Sequence, residues 1–241
     1  PFCASASATA ATQADAKITD KIFLEVRIFE PLSEENGYSS ANSYRGKIVV
    51  GLYGEAAPQS VSNFLEFSEP DYSVDKPSYA SGLMTRLEPG VIVEGGRIKG
   101  LNTVPIAGSS QLEYRGQILP NPPIIEANAL SHDSRGLLTK VKFSPGSEFG
   151  ITLAPAPELD ARRVVFGRVL EGMDVLQALE AVPIYGEGSV QEEGSLADNV
   201  FRAQKQAMMA IGKNVLKDGR AVDRTGSFLR RVDISGVGRV R

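Results

Sequence analysis

Few residues in this 241-residue chain could do chemistry unaided, and the most suggestive of them is an arginine. In LMTRLEPGVIVEGGR (83–97), Arg86 precedes a short apolar run that closes on Glu94 and Gly95-Gly96. A guanidinium is permanently charged and presents a planar fork of donors, so Arg86 could hold a polar group of a ligand. A surface ion pair with Glu88 or Glu94 is the alternative. The chain has one Cys, Cys3, and one His, His132. A lone Cys excludes an internal disulfide, and a zinc site built from Cys and His is all but excluded. His132 lies in SHDSRG and reads as a loop or core residue; no Ser/His/Asp constellation can be built on it. Gly95-Gly96 lacks the full glycine spacing of a dinucleotide or phosphate motif and reads as close backbone packing at a strand end. Neither a metal nor a cofactor is expected.

Charge is unevenly placed. Residues 202–241 hold ten Lys/Arg and three Asp/Glu, a local +7 within a net charge of −3, so the remainder carries −10. That asymmetry favours an acidic partner for the C-terminal part, with a solvated basic helix as the alternative. The basic stretch lacks interleaved aromatics, which argues against nucleic acid. No apolar run approaches the roughly 18 residues of a membrane span. The first residues, PFCASASATAATQADA, are rich in Ala, Ser and Thr and contain small-x-small triplets suited to a signal peptidase. They read as the remnant of a targeting region (1–17) or as an Ala-rich tail.

The elements that must position these groups follow from periodicity. KIFLEVRIF (21–29) alternates Ile22, Leu24, Val26 and Ile28 against Lys21, Phe23, Glu25 and Arg27, which predicts a strand. GKIVVGLYG (46–54) predicts its hairpin partner, with 30–45 as a long polar loop. Pro58 opens a helix with Val61, Phe64 and Leu65 on one face. Residues 69–82 read as loop. Short strands are predicted at 83–87 and 91–94 around a Pro89-Gly90 turn, and again at 136–141, 148–154 and 164–169. Residues 98–123 show little periodicity and read as irregular. A helix at 172–182 places Met173, Leu176, Leu179 and Val182 together. Another, capped by Ser195 and spanning about 195–217, carries an apolar stripe from Leu196 to Val215. FLRRVDISGVG (228–238) predicts the last strand. With 42% hydrophobic residues a substantial core is available, and no boundary separates two cores. The pattern predicts a mainly β, closed, mostly antiparallel barrel with helices over its ends, as one domain at 18–241 with an inserted helical segment at 190–222.

Four stretches in this order resemble cyclophilins: GKIVVGLYGEAAPQSVSNFLEF, MTRLEPGVIVEGG, FGITLAPAPELDARRVVFGRVLEGMDVL and RRVDISGVG. The resemblance implies an eight-stranded antiparallel barrel capped by two helices and a peptidyl-prolyl cis-trans isomerase acting on proline-containing polypeptides. The ITDKIFLEV start, the Ala/Ser-rich leader and the inserted helix are similar to divergent cyclophilins of the chloroplast thylakoid lumen. That narrower likeness implies a lumenal protein, with the basic C-terminal helix free to meet a thylakoid membrane complex.

Rotating an Xaa-Pro amide means crossing a barrier of roughly 18–20 kcal/mol. No covalent step is needed; the enzyme must hold the ring and stabilise the twisted amide. By the resemblance, Arg86 is the catalytic arginine. The candidate substrate-binding residues are Val91, Ile92, Glu94 and Lys142, together with Phe149, Gly150, Leu159 and Arg163. Most depart from the family pattern, which places Phe at Val91, Met at Ile92, Gln at Glu94, Asn at Lys142, Phe at Gly150, Trp at Glu158 and His at Arg163. Leu159 agrees with it. Phe149 precedes the vacant position, but adjacent strand residues face opposite ways, so it reads as core. The expectation is a barrel whose proline pocket has lost its aromatic floor, with Glu94 competing for Arg86 and with Arg163 and Lys142 making the cleft more cationic. Its isomerase activity would be weak. A non-catalytic scaffold or assembly subunit of a photosynthetic complex is the competing reading.

Overall fold

The structure is a computed structural model that describes residues 16–31, 38–69, 76–106, 109–119, 124–126, 128–185 and 225–240. Eleven strands are found among them. β1 (Asp20–Pro31) and β2 (Tyr38–Leu52) form the first hairpin. β3 (Gly82–Glu88) and β4 (Ile92–Ile98) form the second. After a small separate sheet of β5 (Leu101–Ile106), β6 (Ser109–Tyr114) and β7 (Gln117–Leu119) come β8 (Leu137–Val141), β9 (Phe149–Thr152), β10 (Arg163–Glu171) and β11 (Val232–Arg239). Eight of these close into a barrel in the order β1-β11-β3-β4-β9-β8-β10-β2. Every pairing in it is antiparallel. Among the described residues no helix is long and apolar enough to cross a membrane.

The period-two alternation of β1 is realised as written: Ile22, Leu24, Val26 and Ile28 are all buried in the main core. Two helices cap that core. α1 (Pro58–Glu66) contributes Val61 and Phe64, and α2 (Met173–Glu180) contributes Val175, Leu176 and Leu179. Pro58 sits in the first turn of α1, where its missing N–H costs nothing. The residue before it, Ala57, offers no side-chain cap. A distant carboxylate does that work instead: Glu126 accepts from the Gln59 and Ser60 backbone N–H groups at 2.8 and 3.0 Å. At the other end of the described chain, Ala16 and Ile18 pack beside Tyr53, Leu130, Leu137 and Val165.

Three expectations are corrected or fall outside view. Residues 38–45, read as loop, extend β2, because their backbone completes the ladder with β1 through Ile28↔Tyr44, Glu30↔Ser39 and Pro31↔Tyr38. Pairing overrides the weak strand propensity of SSANSY. Residues 98–123, read as irregular, hold the three-stranded sheet; β5 is half-exposed and carries Pro105, which masks its alternation, while Leu112 and Tyr114 of β6 reach the main core. The helix expected at 195–217 lies outside the described residues.

One buried cation stands out. Lys140 is 2% exposed, and its Nζ donates to the Gly146 and Glu148 carbonyls, tying down the β8–β9 connection. Burial pushes its pKa down to about 8, with Glu148 opposing the shift. The unfolded chain holds that proton up to about pH 10.4. The lysine therefore contributes stability that is complete above about 10.4 and is lost as pH falls through about 8. Relative to Lys140→Met, the parent should gain roughly 3 kcal/mol of unfolding free energy between pH 7 and 10.5. Urea denaturation of both proteins across that range checks this; parallel pH profiles would contradict it.

Candidate functional site

The barrel register assembles the site on its outer wall. Arg86 of β3 lies opposite Glu94 of β4, and Glu94 lies opposite Gly150 of β9. On the far side Arg163 of β10 pairs with Val141 of β8. Between them is a cavity of about 260 Å³ lined by Arg86, Glu88, Ile92, Glu94, Val141, Leu159, Arg162 and Arg163. Five of the residues singled out in the sequence therefore meet here: Arg86, Ile92, Glu94, Leu159 and Arg163.

The others are placed differently. Gly150 lies opposite Glu94 in the sheet and does not line the cavity. A Cβ built on it would lie 3.0 Å from Ile92 Cγ1 and 3.2 Å from Arg163 Nη1. The space a larger side chain would need is thus filled by Ile92 and by a guanidinium. Phe149 points into the barrel, 1% exposed, edge-on to Phe64 and Tyr79 with ring centroids 5.3 and 5.4 Å apart. It takes no part in the cavity, as strand alternation requires. Val91 packs beside Ile92, Ala156 and Leu159. Lys142 spends its Nζ on the Asp160 and Ala161 carbonyls at 2.8 and 3.4 Å.

These positions revise the expected electrostatics. Glu94 hydrogen-bonds Arg163 through Oε1 and Nη2, so its carboxylate is engaged across the cavity. Burial pulls the Arg163 guanidinium below the ordinary arginine value, and Glu88 opposes the shift. Three arginines and two glutamates line the cavity, and Lys142 is not among them. The lining keeps an excess of one positive charge, with Arg163 contributing to it and Lys142 not.

The loop carrying Leu159, Arg162 and Arg163 is held by the one histidine. His132 is fully buried; its backbone N–H donates to Asp160 Oδ1 at 2.8 Å, and its Nδ1 stands 2.5 Å from the same oxygen. Its Nε2 meets Thr139 Oγ1 at 2.8 Å, and its carbonyl accepts from the Ala156 N–H at 2.7 Å. Each ring nitrogen thus has a hydrogen-bond partner. Three backbone or side-chain groups of one residue thereby fix both ends of the 156–160 turn. His132 is a core residue, as the sequence suggested.

Sequence reasoning did not place Val141 or Arg162 in the site, and named Glu88 only as a possible partner of Arg86. Glu88 carried a usable signal, since it stands two residues from Arg86 on the same strand face. Val141 needed the β8–β10 register, and Arg162 needed the turn geometry. Phe143, two residues beyond Val141, is 65% exposed with φ of +64°, an uncommon state for a bulky residue.

Comparison with known proteins bears on this geometry. The family described as cyclophilin type peptidyl-prolyl cis-trans isomerase/CLD matches residues 39–199. Peptidyl-prolyl cis-trans isomerase D of Saccharomyces cerevisiae is 31% identical over 175 residues, covering 71% of this chain and 67% of that protein. Peptidyl-prolyl cis-trans isomerase B of the same yeast is 32% identical over 174 residues, covering 70% and 74%. A protein of Bos taurus named probable inactive peptidyl-prolyl cis-trans isomerase-like 6 is 32% identical over 154 residues, covering 61% of this chain and 47% of its own length. The closed eight-stranded barrel, its two capping helices and the match over residues 39–199 agree: the chain belongs to the cyclophilin-type peptidyl-prolyl cis-trans isomerase family.

Proposed function

We propose that this chain binds Xaa-Pro segments of polypeptides at the Arg86 cavity and isomerises them weakly. Arg86 acts on the prolyl amide, its fixed charge favouring the twisted state in which conjugation is broken. One observation carries the reduced activity: the volume above Gly150 is taken by Ile92 and by Arg163, itself tied to Glu94. A proline ring finds no aromatic floor there. Burying a large apolar side chain is worth roughly 1.5–3 kcal/mol, and about 1.4 kcal/mol is a factor of ten. The name of the bovine relative is in keeping with a site of this kind.

The same observation favours a second reading, in which the fold serves as a scaffold. On that reading we place the chain in the thylakoid lumen of a chloroplast, on the strength of its PFCASASATAATQADA leader, and let residues 202–241, with their local +7, meet an acidic surface of a membrane complex. Immunodetection of the protein in fractionated chloroplasts tests the location; its absence from the thylakoid lumen rules it out.

In a protease-coupled assay on an Xaa-Pro peptide, kcat/KM should be at least about tenfold below that of a cyclophilin with the aromatic pocket. Arg86→Ala should reduce it further. Equal rates in parent and full-pocket enzyme would overturn the reading.

Returning five of the seven altered positions to the family pattern (Val91→Phe, Ile92→Met, Glu94→Gln, Gly150→Phe and Arg163→His together) should raise kcat/KM by about tenfold or more. Gly150→Phe alone should lower the melting temperature without a gain, because the ring is driven into Ile92 and Arg163.

Docking through the basic segment should be salt-sensitive, since the Debye length falls from about 10 Å at 0.1 M to about 3 Å at 1 M. Pull-downs from thylakoid extract should yield a membrane complex at low salt and lose it at high salt. A variant deleted for 190–222 that stays folded and keeps the same complex would end the docking idea.

A further inference from the structure

The strand connection that follows α2 returns to the site from an unexpected side. Pro183 and Ile184 run antiparallel to Phe228 and Leu229, through an Ile184↔Phe228 bridge and a Leu229 N–H to Pro183 carbonyl bond of 2.8 Å. Tyr185 closes the pairing, donating to the Ser227 carbonyl at 2.7 Å and accepting from the Gly226 N–H at 2.6 Å. Ile184 and Phe228 pack against the main core, so this stem has a rigid base. Its tip abuts β3. The Leu87 N–H donates to the Gly226 carbonyl at 2.8 Å, and Ser227 bridges Arg86.

Gly226 is the point of closest approach. Its φ is +81°, and a Cβ built on it would lie 2.6 Å from the Leu87 carbonyl oxygen, 3.2 Å from Arg86 Cγ and 3.3 Å from Arg86 Nε. The Arg86 side chain therefore crosses directly over a bare backbone. An arginine has many rotamers, and holding it in one costs entropy that must be met before the substrate arrives. A flat, core-anchored bed under Cγ and Nε removes alternatives in advance, while the guanidinium tip reaches the cavity.

We propose that Gly226 is a positioning residue for Arg86, and that the Tyr185–Ser227 stem fixes the guanidinium at the cavity mouth by direct backbone contact. The proposal rests on reading Arg86 as the group that acts on the prolyl amide. It assigns to the stem a role in turnover that no cavity-lining residue reveals.

The test compares Gly226→Ala and Gly226→Asn with Gly116→Ala. Gly116 shares a φ of +81° but would place its Cβ in open space, with nothing within 4 Å. Backbone strain from φ is thereby matched, while a Cβ at 226 meets both Arg86 and the Leu87 carbonyl oxygen; asparagine eases the positive φ only, so the Overhauser contacts in the unsubstituted protein decide the case if neither variant folds. The Arg86 Nε–H resonance should move in both Gly226 variants and stay in place in Gly116→Ala. The kcat on an Xaa-Pro peptide should fall about tenfold in the Gly226 variants, with peptide Kd by titration within about twofold of the parent. In the unsubstituted protein, Overhauser contacts should join the Gly226 α-protons to the Arg86 side-chain protons. Absence of those contacts, or an unmoved Arg86 resonance in a folded Gly226 variant, overturns the proposal. So does an unchanged kcat in a folded Gly226 variant where Arg86→Ala abolishes turnover. If the parent shows no turnover, the isomerase reading fails, and the resonance and Overhauser measurements still decide the positioning role.

Discussion

In a closed sheet every strand has two neighbours, so the direction of each side chain is fixed from both sides. β4 shows what this means for the site. Its pairing with β3 sets Glu94 against Arg86, and its pairing with β9 sets the same residue against Gly150. A slip of one residue at either seam would turn Ile92 and Glu94 inward and bring Val93 out to water. Val93 is fully buried, and the core depends on it. The chemistry of the outer wall is thus held in register by the packing of the inner one, and the two cannot vary independently.

Within that frame the volume above Gly150 is filled by neighbouring side chains. The position above Gly150 has not been left hollow, which would have cost stability roughly in proportion to the void. Ile92 and Arg163 fill it, and Glu94 balances the guanidinium. A half-buried ion pair of this kind adds little net stability, since desolvation offsets most of the attraction. Its effect is on the shape of the cleft, whose wall beside Gly150 is a paired charge. The 156–163 turn that delivers Leu159 and Arg163 is meanwhile secured by His132 and Asp160, neither of which lines the cavity.

Much of this was legible in the sequence. Strong alternation in 21–29 and β-branched residues in 46–52 placed the first hairpin, and the Arg86–Gly96 segment placed the site. Legibility failed where pairing, not side-chain pattern, decides structure. Nothing in SSANSY announces a strand; its backbone is recruited by β1. The β5–β7 sheet hides behind Pro105 and exposed polar positions. Within the site, the sequence named the candidate residues but could not show which side chains meet. Glu94 was expected to face Arg86, and its bond to Arg163 depends on two side chains separated by 69 positions. Lys142 likewise looked available until the Asp160 carbonyl was seen beside it.

The β1–β11 seam has a consequence for the history of each molecule. Arg27 and Asp233, joined across it, stand 206 positions apart. The cylinder therefore cannot be sealed by contacts within either half of the chain, and non-local closure of this kind is intrinsically slow. During synthesis, β1 and β2 can meet early, but β1 keeps one unpaired edge until residues 232–239 emerge. At roughly 5–20 residues per second, residues 186–224 alone prolong that interval by a few seconds. An open strand edge is a template for pairing with the wrong neighbour. A protein grouped with folding catalysts is, by its own topology, one that spends its nascent life exposed to the hazard such catalysts address.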